Sequence, residues 1–504
     1  MEQKSIIIIG AGIAGLSAGC YGQMNGYRTE IFEMHNKPGG VCTSWKRKGY
    51  TIDGCIHWLV GYHEGSSFHH IWKELGAVQD RQFINFEEFR RTEDKDGKAW
   101  IVYSNLDRLE QHMIELAPED KKVIREFING ARSFTRLNWE TDDASGLKDA
   151  FHKLKTMLSM LRFMITFMKW RNISTAQYAQ RFENPFLSRA FKASFAGEMG
   201  EFSVFAMQGA LAWQHTKQAA YPIGGSLEFA QAIEKRYLEL GGQVHYRSPV
   251  AKILVENNRA IGVRLLDGTE HRCDVVISAA DGHSTIFNML DGKFINNKLK
   301  GYYDKLPLFP PLVYIGLGVS RSFAGQPHHI TYMLDEPISV GNKTYDRIIL
   351  TVYNYDPTLA PEGKTALAVL LYADYDYWQK LKLENLEQYK QEKEKAADQV
   401  IAFLDKRFPG LSQQVEMRDV ATPVTWVRYT GNWRGAWEGW LLTGKTFMMR
   451  MSKELPGLKN FYMVGQWVEP GGGLPVVALS GRKVIQTICK RDGKKFTTTI
   501  PRST

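Results

Sequence analysis

Cysteine is scarce: five residues in 504, at Cys20, Cys42, Cys55, Cys273 and Cys489, with no pair in C-x-x-C spacing. So odd and scattered a set builds neither a disulfide framework nor a zinc site, which makes a reducing, cytoplasmic setting the default and leaves no metal expected. The chain has no H-E-x-x-H pair, and this removes the zinc-peptidase class that carries it. No apolar run is long enough to span a bilayer. Repeats, low-complexity tracts and nucleic-acid-reading motifs are also missing. Lys and Arg (64) nevertheless outnumber Asp and Glu (54), for a formal charge of +10. With nucleic acid the least favoured partner, that charge could serve an anionic membrane surface or an acidic substrate.

What is present is ordinary globular composition, 44% hydrophobic and 23% charged, in a chain long enough for two or three domains. The most informative stretch is KSIIIIGAGIAGLSAGCYGQMNGYRTEIFEMHNKPGG, residues 4–40. Four isoleucines, Ile6 to Ile9, suit a strand covered on both faces. Gly10, Gly12 and Gly15 then complete G-x-G-x-x-G: a tight turn, a close approach of backbone to a diphosphate, and close packing of helix on strand. Residues 11–26 read as the helix whose N-terminus receives the diphosphate. A second strand, residues 28–32, delivers Glu33 eighteen residues after Gly15, where a carboxylate can accept ribose hydroxyls. The apolar start followed by LSAGC has the outline of a secretion leader. It carries only Lys4 against Glu2 and is interrupted by glycine, so it is expected to belong to the mature fold.

The rest of the chain alternates. A region rich in aromatic and basic residues, 68–220, shows helical periodicity at 121–137 and 151–170. Residues 221–298 return to strand-and-turn chemistry: a helix at 226–240, strands at 244–246 and 250–255, another at 260–265 paired across Asn257 and Asn258, and a buried strand at 275–278. A second aromatic and charged region, 299–417, contains a charged helix read as solvent-facing. Residues 418–504 close with strand, glycine loop and helix. In the helix at 151–170, Lys155, Arg162 and Lys169 share one stripe, with Ser159 and Thr166 beside them. Met157, Met160, Leu161, Met164, Phe167 and Met168 fill the other face. Such a helix either lies in a membrane interface, its cations on acidic headgroups, or covers the protein's own core.

Four motifs in order resemble the flavoprotein family of phytoene desaturases, carotenoid isomerases and retinol saturases, within the glutathione-reductase-like FAD fold. They are IIIIGAGIAGLSAG with Glu33; KPGGVCTSWKRKGYTIDGCIHWLVG, residues 37–61; YPIGG, residues 221–225, with the Val250 strand; and TPVTWVRYTGNWRGAWEGW followed by VGQWVEPGGGLPVVALSGR. The second is especially similar to retinol saturases in Gly40, Asp53, Gly54 and the Ile56–His57 pair. The resemblance implies an α/β protein. Its Rossmann-like FAD-binding domain is assembled from discontinuous segments (1–67, 221–298, 418–504), with an inserted α+β substrate domain (68–220, 299–417) and a helical subregion able to meet a membrane. It implies FAD as cofactor, held by Gly10, Gly12, Ala14, Gly15, Glu33, Gly39, Gly40, Val41, Val250, Gly465, Pro470, Gly472, Gly473 and Leu474. The substrate implied is a hydrophobic lipid, an isoprenoid or carotenoid, with desaturation, saturation and isomerisation all open. The chain would be cytoplasmic, or peripheral on a membrane; its oligomeric state is unspecified.

Where desaturases and isomerases of this family usually carry histidine or serine before P-G-G-G, this chain has Glu469. Trp433, Trp437, Trp440 and Trp467 enrich the same region in indoles, and Trp437 is the substrate contact expected among them. Gly472 and Gly473, at a helix start, would aim backbone N–H groups at the flavin and stabilise charge on its reduced ring. His57 and Glu469 are the candidates for moving a proton, because imidazole titrates near neutrality and an apolar surrounding raises a carboxyl's proton affinity. Against these stand a backbone-bonded core histidine and a Glu469 paired to an arginine such as Arg482. Asp53, beside a glycine turn, reads as structural or flavin-site rather than as an acid. Two other functions compete: an FAD-dependent amine oxidase, and a prenyl-binding escort protein with no flavin, which would have no use for an intact diphosphate cradle.

Overall fold

The computed structural model describes residues 3–135, 161, 164–196 and 199–501. Its first layer is a five-stranded, all-parallel sheet in the order Gln243–His245, Arg28–Phe32, Ser5–Ile9, Val275–Ser278, Phe461–Met463. Strands far apart in sequence pair here because each is short and apolar and is covered on both faces, the pattern of a parallel sheet. The helix Ile13–Met24 is buried almost all round and packs on the helices Gly225–Glu239 and Leu474–Arg491. Close approach is purchased with glycine: a Cβ on Gly481 would come 2.6 Å from the Ala14 carbonyl oxygen, and one on Gly15 would collide with that of Gly10. On the other face lies an antiparallel layer of Val250–Glu256, Arg259–Leu265 and Glu270–Arg272. The expected turn between its first two strands is there, with positive φ at Asn257 (49°) and Asn258 (58°).

The second layer is a seven-stranded mixed sheet in the order Val415–Ala421, Leu312–Val319, Thr365–Tyr372, Lys343–Val352, His329–Val340, Glu88–Glu93, Ala99–Tyr103. It gathers strands from both sides of the 221–298 segment. A hairpin, Ser44–Arg47 with Tyr50–Asp53, lies across it. Gly316 and Gly318 leave room for this hairpin, since a Cβ on them would meet Ile52 Cδ1 at 2.8 Å and Tyr50 Cδ2 at 2.5 Å. The helix Leu386–Arg407, read as solvent-facing, turns Tyr389, Ala396, Ala397, Val400 and Leu404 into the core against this sheet and leaves only its remaining face wet. A helical cluster built on Lys121–Phe134 and Val204–His215 completes the region.

Of the amphipathic stretch 151–170, residues 151–160, 162 and 163, with Lys155, Met157, Ser159, Met160 and Arg162, lie outside the described residues. In the part described, Phe167 and Trp170 are buried, Phe167 against Phe205 (5.1 Å between ring centres). Leu161 (57%), Met164 (39%), Ile165 (63%) and Met168 (54%) are exposed. The stripe is therefore split between core and surface.

Gly225 begins its helix at φ +67°, and a Cβ there would strike the Asp53 carboxylate. Gly225→Ala is expected to cost about 1–3 kcal/mol from the backbone alone, more with the clash, and to lower the thermal unfolding midpoint; an unchanged midpoint would show that this junction is pliable.

Candidate functional site

At the carboxyl ends of the parallel strands opens a cleft of about 1160 Å³, its mouth included, the place where open α/β sheets take ligands. Its walls come from every segment of the first layer. Gly10, Gly12, Ala14, Glu33, Gly39, Gly40, Val41, Val250, Trp437, Gly465, Gly472 and Leu474 all line it. Gly15, Gly473, Pro470, His57 and Glu469 are not among the lining residues. Gly15 instead lies beneath Gly10, and Gly473 is the N-cap of the helix Leu474–Arg491.

Glycines shape the floor. At Gly12 a Cβ would meet nothing nearer than the Gly39 carbonyl, 3.9 Å away, so the side chain it lacks would project into open cleft. Gly10 (φ +98°), Gly40 (+60°) and Gly465 (+96°) hold backbone conformations that favour glycine. The buried Glu33 accepts hydrogen bonds from Ala11 N (2.7 Å) and His35 N (2.8 Å). Burial raises its proton affinity and these bonds oppose the rise. The arrangement of strand, glycine turn, helix N-terminus and carboxylate fits a dinucleotide with its diphosphate at the helix and a ribose at Glu33. Trp437 also lines the cleft, with its buried indole N–H unpartnered among the described residues.

The profile of the family described as flavin containing amine oxidoreductase matches residues 13–489. The chain belongs to that family. It is a flavin-dependent oxidoreductase, and FAD is its cofactor. A prolycopene isomerase from an Oncidium hybrid cultivar is 25% identical over 500 residues, 95% of this chain and 83% of the relative. A 4,4'-diaponeurosporene oxygenase from Staphylococcus haemolyticus is 26% identical over 512 residues, 97% of each chain. Among solved structures, an oxidoreductase from Methanosarcina mazei superposes with a TM-score of 0.62 at 18% identity, covering 96% of this chain and all of that one, which shows the shared fold.

The proposed proton-moving residues fall differently. Glu469 pairs with Lys453, and Arg482 with the buried Glu74 at 3.2 Å, so the ion pair is real but its cation is a lysine. His57 stands just beyond Cys55, which lines the cleft; its ring centre is 6.2 Å from that of His329. Burial and then the charge of Arg90 push its imidazole down to about 4, so at neutral pH it has no second proton to give. Asp53 is structural: it accepts from Ser226 N (3.1 Å) and Tyr221 Oη (3.1 Å). The indole cluster divides, with Trp440 and Trp467 packed around Tyr303 as core and Trp467 also reaching the cleft beside Trp437.

The reading of the sequence missed Glu438. Glu438 lines the cleft next to Trp437, its carboxyl has no hydrogen-bond donor among the described residues, and desolvation pushes it up to about 8. It is therefore mostly protonated at pH 7. The available signal was a lone glutamate among Trp433, Gly435, Trp437, Gly439 and Trp440. Because the folded chain holds this proton more tightly than the unfolded one, the group's contribution to stability is complete below its ordinary value of 4.5 and is lost as pH rises through about 8. Glu438→Gln should thus gain thermal stability relative to the wild type as pH is raised from about 5 to about 9. Parallel melting curves across that range would show Glu438 to be already ionised at neutral pH.

Proposed function

We propose that the chain acts on carbon–carbon bonds of a long, apolar, polyunsaturated lipid of the isoprenoid or carotenoid class. The observation that carries this reading is that one cleft is lined by Trp437, Trp467 and Glu438, whose carboxyl burial pushes up to about 8. The near-full-length likeness to a prolycopene isomerase and a diaponeurosporene oxygenase supports it. A bound flavin supplies hydride transfer. In this reading Gly10, Gly12, Ala14, Gly39, Gly40, Val41, Val250, Gly465, Pro470, Gly472, Gly473 and Leu474 hold it with backbone and small side chains, Glu33 takes the ribose, and Gly15 keeps the helix close. Trp437 orients an alkene and excludes water; Glu438 holds a proton on its carboxyl oxygen for delivery to a carbon. His57, neutral, is left to accept a proton rather than donate one, and Glu469 acts through its pair with Lys453. An amine substrate is less well served, because no lysine is among the described lining residues.

Spectra of the purified holoenzyme under anaerobic conditions test this. A polyene hydrocarbon should either bleach the flavin bands or restore them after chemical reduction; flavin unaffected by any polyene in either state, yet bleached by a polyamine, would transfer the protein to the amine oxidases.

The membrane reading belongs here too. Leu161, Met164, Ile165 and Met168 present an apolar patch beside Lys169, which pairs with Glu126 at 3.3 Å, and a lipid substrate has to be collected from a bilayer. Replacing Ile165 and Met168 by asparagine should reduce co-sedimentation with anionic vesicles; equal sedimentation would remove this patch from the membrane contact.

A further inference from the structure

Two of the five cysteines meet at the cofactor cleft. Cys42 and Cys55 both line it, both are free thiols, and they lie thirteen residues apart, a spacing that announces no pair in the sequence. The hairpin between them brings them together. Ser44 stands opposite Asp53, and the Gly54 N–H donates to the Thr43 carbonyl at 3.0 Å, which makes 43 and 54 a hydrogen-bonded pair. Counted on in that register, Cys42 stands opposite Cys55 in a non-hydrogen-bonded pair, the position of an antiparallel ladder where opposing side chains come closest. The Cα separation typical of such a position, about 4.5 Å, lies within the range that a disulfide spans.

The side chains use that closeness. The two thiols hydrogen-bond to each other, and Cys42 donates in turn to the Ser226 carbonyl at 3.4 Å. Cys42 is 1% exposed; burial, followed by the neighbouring Cys55 thiol, holds its own thiol well above the usual range. Cys55 is half-buried. Cysteines that served only as small apolar packing would have no need to open on the cleft. This pair opens on it beside Gly39, Gly40 and Val41, which line the same walls.

We propose that Cys42 and Cys55 are a redox-active dithiol that exchanges an electron pair with the bound flavin. In one direction two S–H bonds break and one S–S bond forms, and the two electrons and two protons released reduce FAD. In the other the reduced flavin returns them, the S–S bond breaks, and both sulfurs are reprotonated. The step balances within the holoenzyme and needs no further reagent. It gives the chain a capacity of about four electrons, two on the flavin and two on the sulfurs, so that the dithiol recharges a flavin that has spent its own pair. The inference requires the flavin but is independent of the polyene substrate.

The test oxidises the purified holoenzyme with ferricyanide, removes the oxidant, and titrates with dithionite anaerobically, following the flavin bands and the thiols counted after denaturation. In the wild type the oxidised protein should show three titratable thiols of its five cysteines. It should consume about two equivalents of dithionite per flavin, with the count returning to five. Cys55→Ser should consume about one equivalent, with no change in its thiols. Should Cys55→Ser lose its flavin, the wild-type equivalents and the mass-spectrometric location of the S–S bond decide. Five thiols after ferricyanide overturn the pair. Three thiols that stay three while the flavin bleaches with one equivalent overturn the exchange.

Discussion

Asp53 is fully buried, and its two polar ends reach different parts of the fold. Its carboxylate accepts from Ser226 N and Tyr221 Oη, at the start of the helix Gly225–Glu239. Its backbone carbonyl accepts from Tyr314 Oη and Tyr353 Oη, on or beside the seven-stranded sheet. An acid stays inside protein only when donors surround it; burial drives this one up to about 6 while those bonds pull it back. Each donor left without it would cost roughly 1–3 kcal/mol. Asp53 thus ties the parallel-sheet layer to the seven-stranded sheet, and Cys55, two positions on, lines the cleft.

The nucleotide half was legible because its logic is local. Strand, glycine turn, helix and Glu33 fall within thirty residues, and each has a steric or electrostatic reason that needs nothing from elsewhere. The seven-stranded sheet was not legible in that way. Its strands come from residues 88–103 and 312–421, and Leu312–Val319 is buried along its whole length, so it shows no alternation. The helix Leu386–Arg407 was judged by its charges, while its core stripe is partly built from Ala396 and Ala397, too small to announce burial.

The acid at the cleft illustrates the same limit. Glu469 stands beside the glycine loop in sequence, yet Lys453, sixteen residues away, folds back to neutralise it. Glu438 lies earlier in the chain, in a tryptophan-rich loop bent by Gly435 and Gly439 at φ +70° and +69°, and lines the cleft. A carboxyl can be read from sequence; whether water or a lysine reaches it cannot.

Two interior groups depart from ordinary behaviour: Glu438, neutral where acids are charged, and Arg90, charged where cations are paired. An apolar, conjugated substrate offers such an enzyme many nearly equivalent double bonds and no directional contact along its length. Dispersion and burial hold such a chain without fixing its register.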